Sequence, residues 1–166
     1  MNSKPSIFMH STEVPDTETV AQIQHFLATR GATSVKIEYD EGKVASLAFA
    51  LRVNDAEVPF RLPCRHKALA PLAKRLGKKP KKNETLEDWA RRVAWRQILR
   101  WVEAQLALIE TGMVKAEEVF LPYVIMANNK SMFQAIEEQR FLSLPKAASA
   151  GSDRDTPEED SDAEDS

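Results

Sequence analysis

One stretch of the chain, residues 85–112, constrains the fold more than any other. It contains no proline, its only glycine is Gly112 at the end, and it holds all three tryptophans of the protein. Thr85 followed by Asp88 is the spacing of a capping box, and glycine is the residue type that most often ends a helix in the left-handed conformation. The stretch is therefore predicted to form one long central helix.

The side chains of this helix separate into two faces when they are spaced at about 100° per residue. The apolar face covers roughly half of the circumference and consists of Trp95, Ile98, Leu99, Trp101, Val102, Leu106, Leu108 and Ile109. So wide an apolar face predicts packing against more than one neighbour, with the tryptophans in the core and base stacking as their alternative role. The opposite face carries Arg92, Arg96, Arg100, Glu103 and Glu110. This arginine row is either a solvated face or a ladder of guanidinium groups that meets successive phosphates.

The residues before this helix predict one helix followed by an antiparallel meander. An amphipathic helix over about 16–30 ends at Gly31, and three alternating segments follow at about 34–40, 43–53 and 57–62. Tight-turn residues separate the segments, and Pro59 marks the third as an edge strand. The side chains predicted to face the core are Val35, Ile37, Tyr39, Leu47, Phe49, Leu51, Val53, Val58, Phe60 and Leu62.

The rest of the chain is predicted to be helical, with unstructured ends. Short helices are expected at about 67–76, at 115–126 with a kink at Pro122, and at 132–141. Residues 1–14 are expected to form a flexible arm, residues 15–144 one domain, and residues 145–166 a disordered acidic tail. The fold class is α+β: a three-stranded antiparallel β-meander packed by helices, with a helical C-terminal half.

Charge is strongly segregated along the sequence, although the net charge is only −2. Residues 61–100 carry a net charge of +10, and residues 152–166 carry −7. A basic block of this kind attracts phosphates, and its candidate nucleic-acid-binding residues are Arg65, Lys67, Lys74, Arg75, Lys78, Lys79, Lys81, Lys82, Arg92, Arg96 and Arg100. The alternative is a solubility patch that pairs with the acidic tail. The tail is expected to compete with nucleic acid and to be offered to a protein partner when a strand displaces it.

The sequence contains no recognisable set of catalytic or metal-binding residues. No glycine-rich phosphate loop, metalloprotease motif or Cys-x-x-Cys pair is present, and the single pair Cys64 and His66 does not make a metal site. We therefore predict a protein that is not an enzyme and has no cofactor. The lone cysteine and the lack of a long apolar run predict a cytoplasmic protein without a membrane partner.

Two resemblances add to this interpretation. The predicted order helix, three strands and long helix over residues 16–112 resembles single-strand annealing proteins, which implies a DNA strand held on a basic groove and assembly into a homo-oligomeric ring. The run AWRQILRWVEAQLALIETGMVKAEEVFLPY, residues 94–123, resembles small proteins encoded by phages and prophages. This second resemblance implies a mobile-element origin and transfers no functional residue.

The leading hypothesis is a non-enzymatic accessory protein of phage-type DNA replication or recombination that binds or anneals single-stranded DNA. The alternative is a protein–protein adaptor or oligomeric assembly subunit that binds no nucleic acid. In that case the apolar face of the long helix and residues 119–126 would form a subunit interface. A small hydrolase or transferase is a third hypothesis, and it would need a pocket that gathers distant carboxylates or histidines.

Overall fold

The computed structural model describes residues 6–140, and it has the predicted α+β architecture. Its helices and strands are α1 (Asp16–Thr29), β1 (Ala32–Asp40), β2 (Lys43–Val53), β3 (Ala56–Pro63), α2 (Leu69–Arg75), α3 (Leu86–Glu110), α4 (Ala116–Phe120) and α5 (Met132–Glu138). A single 3-10 turn, His66–Ala68, precedes α2, and a second one, Leu121–Tyr123, follows α4. The predicted acidic tail and the first five residues of the predicted arm lie outside the described residues.

Both predicted ends of the long helix α3 are confirmed. The hydroxyl of Thr85 accepts a hydrogen bond from the Asp88 amide at 3.0 Å, and the Asp88 carboxylate accepts one from the Thr85 amide at 3.3 Å. This capping box satisfies two of the backbone donors that the first turn leaves unpaired. At the other end Gly112 adopts a φ of 72°, which lets the Met113 amide reach the carbonyl oxygen of Leu108 at 3.0 Å.

The three strands form an antiparallel sheet in the order β1-β2-β3, so the meander is confirmed. Val35, Phe49 and Phe60 lie opposite one another across the sheet, as the predicted inward row requires. The prediction is wrong at Tyr39, which is 64% exposed. A register shift between Glu38 and Tyr39 interrupts the alternation there, so the tyrosine ring does not continue the row that faces the core.

The main core lies between this sheet and two helices, as the wide apolar face of α3 predicted. Trp95 of α3 is completely buried, and it belongs to the same apolar cluster as Leu27 of α1 and Phe49 of β2. Phe120 of α4 closes the same cluster, with its ring centroid 5.3 Å from that of Phe49. Burial of a large apolar side chain contributes about 1.5–3 kcal/mol, so this cluster is the main source of stability.

A second, smaller core lies under the first turns of α3. Trp89, Ala90 and Val93 of α3 pack there with Ala73 of α2 and with Ile7 near the N-terminus. Ile7 is only 4% exposed, so the predicted flexible arm is wrong at this residue. The short apolar run of Ile7, Phe8 and Met9 is too brief to show a helical or strand period, and the burial of Ile7 depends on a groove that only the folded chain provides.

The residues after α4 form a lobe on the edge of the sheet, and we call residues 121–138 the C-terminal lobe. The predicted kinked helix over 115–126 ends instead at Phe120, because Pro122 has no amide donor to continue it. Val124 then bridges to Phe60, and the Ile125 amide donates to the Pro59 carbonyl at 2.9 Å. The predicted start of α5 is confirmed by a capping box between Ser131 and Gln134.

Candidate nucleic-acid interface

Eight of the eleven predicted phosphate-binding residues lie between β3 and α3, in residues 65–82, which we call the basic segment. Its apolar side chains, among them Leu69, Leu72 and Leu76, pack against the second core. Because the apolar side of the segment faces α3, its charged side chains project outward. Seven of the eight cations are exposed and Lys78 is half-buried, the seven being Arg65, Lys67, Lys74, Arg75, Lys79, Lys81 and Lys82.

Four lysines of the basic segment occupy a loop with fixed ends, which we call the lysine loop: Lys78, Lys79, Lys81 and Lys82. The loop begins where Gly77 ends α2 with a φ of 65°, and the Lys78 amide bonds back to the Ala73 carbonyl at 2.9 Å. It ends at the Thr85 cap of α3. A short loop held at both ends presents its charges within a small area of surface.

Most cations of the basic segment have no carboxylate partner. Within residues 6–140, Lys81 is the one member that forms an ion pair, at 3.5 Å from Glu13. The guanidinium of Arg65 lies over the ring of Phe133, 5.5 Å from the ring centroid. The described part of the chain therefore leaves the positive charge of this surface largely uncompensated.

The three predicted arginines of α3 are placed differently, because they do not form the continuous exposed row that both a solvated face and a phosphate ladder would require. Arg92 is 9% exposed, and its Nη1 lies 2.6 Å from Glu84 Oε1. Arg96 Nη1 donates to Gln22 Oε1 of α1 at 2.7 Å. Helix α1 packs along this side of α3, so the side that the sequence pattern assigned to solvent is partly an internal surface.

Arg100 is the exposed member of the predicted arginine row. Its Nη1 lies 2.7 Å from Glu103 Oε2, since side chains three positions apart are neighbours on a helix. Such an exposed pair contributes little to stability. The candidate interface therefore consists of the basic segment, whereas Arg92, Arg96 and Arg100 all have partners within the fold.

A cluster of ionisable side chains that the sequence analysis did not identify joins the basic segment to the first turn of α3. His66 Nε2 is 2.9 Å from Glu87 Oε1, and Arg91 Nη2 is 3.2 Å from the same oxygen. The hydrogen bond with His66 lowers the pKa of Glu87, with the positive charge of Arg91 acting in the same direction. The spacing of Glu87 and Arg91 is visible in the sequence, whereas the approach of His66 depends on the fold.

This cluster lines a cleft of about 640 Å³ between the β1–β2 turn and the start of α3, which we call the charge-balanced cleft. Its charged walls are Asp40, Glu41, Lys43, Arg65, Lys67, Glu87, Asp88 and Arg91. Cations and carboxylates are equal in number there, so the cleft does not favour a polyanion. Burial raises the pKa of the neighbouring Cys64 thiol to about 12, which keeps it protonated at neutral pH.

The described residues and the comparisons add three findings. Among residues 6–140, no group of three or more histidine, cysteine, aspartate or glutamate side chains is arranged to hold a metal ion. In the same range, no helix combines the length and the apolar character needed to cross a bilayer. No protein-family model, curated protein or solved structure matches the chain.

Proposed function

We propose that the protein is a non-enzymatic single-stranded DNA-binding protein, with an annealing role in phage-type DNA replication or recombination. The observation that carries this proposal is the placement of the basic segment. Seven of its eight cations form no ion pair among residues 6–140, and seven are exposed. A surface with this much uncompensated positive charge gains free energy when phosphates replace its counterions.

The chemistry of the contacts defines the kind of recognition. Lysine and arginine side chains bind phosphates of any sequence, so we expect little base specificity from the basic segment itself. The preference for single strands rests on the element order of residues 16–112, which resembles that of annealing proteins. Its helix, meander and long helix are all present in the fold.

The acidic C-terminus supports a regulated form of this binding. Residues 152–166 carry a net charge of −7, and they follow the basic segment in the same chain. We propose that this tail competes with DNA for the basic segment and is offered to a protein partner once DNA displaces it. Two charge clusters of opposite sign on one chain attract each other more strongly at low ionic strength.

Fluorescence anisotropy with a labelled single-stranded oligonucleotide tests the proposal directly. The full chain is compared with a version that ends at Ala150, each at about 50 mM and about 200 mM salt. We expect both forms to bind more weakly at the higher salt concentration and the truncated form to bind more tightly. Failure of both forms to bind at the lower salt concentration would overturn the proposal.

A protein–protein adaptor or oligomeric assembly subunit is the second candidate. The fold buries much of the surface predicted as its interface, including Trp95, Leu99 and Phe120, but it leaves other apolar side chains exposed. Tyr39 is 64% exposed, Met113 is 71% exposed and Leu121 is 48% exposed. Light scattering distinguishes this candidate, because an adaptor that self-associates would have a mass well above 18.7 kDa and would not bind DNA. Self-association together with DNA binding would instead agree with the homo-oligomer expected of an annealing protein.

A further inference from the structure

A second cleft lies on the other side of Arg65, between β3 and the C-terminal lobe, and we call it the aromatic cleft. Its volume is about 360 Å³, within the range of about 300–1,000 Å³ typical of small-molecule sites. The residues that line it are Arg61, Pro63, Arg65, Pro122, Tyr123, Asn129, Lys130, Ser131, Phe133 and Gln134. Three of these are cations and none is a carboxylate, which contrasts with the charge-balanced cleft.

The walls of the aromatic cleft are held in place by contacts that do not involve a ligand. Arg61 Nη1 donates to the Asn129 carbonyl at 3.0 Å, and Arg61 Nη2 donates to Asn129 Oδ1 at 2.9 Å. The same guanidinium bonds to Glu38 on β1 through its Nε at 2.9 Å. Arg61 therefore fastens the turn of the C-terminal lobe to the sheet, and the cleft is formed before anything binds.

The cations of the aromatic cleft differ in whether they already have an acidic partner. Arg61 is bound to Glu38, and Lys130 Nζ lies 2.7 Å from Glu138 Oε1. Arg65 is the one cation of the cleft with no ion pair among residues 6–140, and its guanidinium lies over the Phe133 ring. Its charge therefore remains available to a phosphate.

Four of the seven uncharged residues that line the aromatic cleft are prolines or aromatic residues. Tyr123 packs against Trp101 with ring centroids 5.5 Å apart, and Pro63 and Pro122 add apolar surface beside it. Nucleobases stack on aromatic rings and on arginine planes with little dependence on sequence. An aromatic wall beside a guanidinium plane is the combination that accommodates a base and its phosphate together.

We propose that the aromatic cleft binds one nucleobase of a DNA strand whose neighbouring phosphates lie on the basic segment. This proposal rests on the proposed function, because Arg65 belongs both to the basic segment and to the aromatic cleft. The strand then passes from the lysine loop to Arg65, where one base turns into the cleft. The absence of any carboxylate from the lining of the cleft favours an anionic occupant over a cationic one.

The test compares two strands of equal length and charge, one with natural bases and one with abasic sites throughout. Wild-type protein is expected to bind the natural strand about tenfold more tightly than the abasic strand, since stacking adds to phosphate binding. Arg65→Lys keeps the charge but removes the guanidinium plane, and Phe133→Leu keeps an apolar side chain but removes the ring. Each of these variants is expected to lose most of the tenfold difference.

Lys67→Ala is the matched control, because Lys67 is an exposed cation of the basic segment that does not line the aromatic cleft. This variant is expected to weaken binding of the natural and the abasic strand by the same factor, so the ratio of the two affinities stays at its wild-type value. Equal binding of the natural and abasic strands by the wild-type protein would overturn the aromatic cleft as a base site and leave phosphate-driven binding intact. The base site would also be overturned if Arg65→Lys and Phe133→Leu both still bound the natural strand about tenfold more tightly than the abasic strand.

Two further outcomes separate the remaining possibilities. If neither strand binds at low salt, the proposed function fails and the base site fails with it. If deoxynucleoside monophosphate binds as tightly as the strand, the cleft is a site for free nucleotides and the strand proposal is overturned. We expect the monophosphate to compete only at concentrations far above those of the strand, since it lacks the phosphates that contact the lysine loop.

Discussion

The basic segment and the arginines of α3 have the same charge but different surroundings. The sequence places both sets in one block of net charge +10 over residues 61–100. In the fold, Arg92 is buried against Glu84 and Arg96 is bound to Gln22, whereas the lysines after Gly77 lie on an exposed loop. The comparison shows that one block of positive charge in a sequence can combine cations that are paired inside the fold with unpaired cations on its surface.

The difference arises from what packs outside each element. Helix α1 lies against α3 and supplies Gln22 to Arg96, and the loop before α3 supplies Glu84 to Arg92, so these arginines meet polar groups of the protein. Among the described residues, few groups cover the outer side of the basic segment, where Glu13 alone reaches a cation at ion-pair distance. Loss of a paired cation should therefore reduce stability, and loss of an exposed cation should reduce binding.

The largest expected effect on stability is that of Arg92→Ala. The substitution leaves the Glu84 carboxylate, whose side chain is only 14% exposed, without its cation. We expect the free energy of unfolding to fall by about 2 kcal/mol, as measured by urea denaturation. Arg100→Ala on the same helix is the control, and it should change stability by less than about 0.5 kcal/mol because its ion pair is exposed.

A charge reversal of the lysine loop tests whether the exposed cations contribute to DNA binding. The change of Lys78, Lys79, Lys81 and Lys82 to glutamate should weaken binding of single-stranded DNA at least about tenfold, which is about 1.4 kcal/mol. The melting temperature should change little, because these side chains form only one ion pair among residues 6–140. Lys115→Glu on the opposite half of the chain gives a control for nonspecific charge effects. Unchanged DNA affinity in the quadruple variant would remove the lysine loop from the interface.

Arg96→Ala should have a smaller effect, and on stability alone. It removes the 2.7 Å hydrogen bond to Gln22 that joins α3 to α1, and we expect a loss of about 1 kcal/mol. DNA affinity measured by anisotropy should remain within about twofold of wild type, since this guanidinium already has a partner. If Arg96→Ala instead lost as much DNA affinity as the lysine-loop variant, Arg96 would have to be counted among the residues that bind DNA.

The smallest expected effect is the pH dependence of stability that arises from Glu38. Its carboxylate accepts hydrogen bonds from Ser46 and Arg61, and the bond from Ser46 is the main reason that its pKa lies below its ordinary value. A lowered pKa in the folded state stabilises the protein above the unfolded pKa, and this contribution disappears as the pH falls through the folded pKa. Urea denaturation of Glu38→Gln should therefore show a flatter loss of stability in acid than wild type. If the free energy of unfolding fell equally steeply with decreasing pH in Glu38→Gln and in the wild type, Glu38 would not be the source of this pH dependence.

The elements set by local sequence were predicted well. The capping box at Thr85, the end of α3 at Gly112 and the alternation through Phe49 each depend on residues a few positions apart. Their physical causes, which are hydrogen bonding at helix ends and the alternation of side chains in a strand, act over the same short range. The same reasoning was wrong at Tyr39, where a register shift in the sheet is not encoded by a local pattern.

The candidate site was predicted only in part, for a related reason. The positions of the basic residues and the short-range pair of Arg100 with Glu103 are evident from the sequence, but several other contacts depend on partners far away in the chain. Arg61 and Asn129 are 68 positions apart, and Arg96 and Gln22 are 74 positions apart. The aromatic cleft is likewise invisible in the sequence, because Arg65 and Phe133 meet only after the C-terminal lobe has joined the edge of β3.

The three tryptophans lie in three separate parts of the molecule. Trp89 packs in the second core beneath the basic segment, Trp95 is sealed in the main core, and Trp101 contacts Tyr123 on the wall of the aromatic cleft. Each indole therefore reports on one region through its own emission, without any attached dye. Single-tryptophan versions of the chain would show separately when the second core loosens, when the main core melts and when a base enters beside Tyr123.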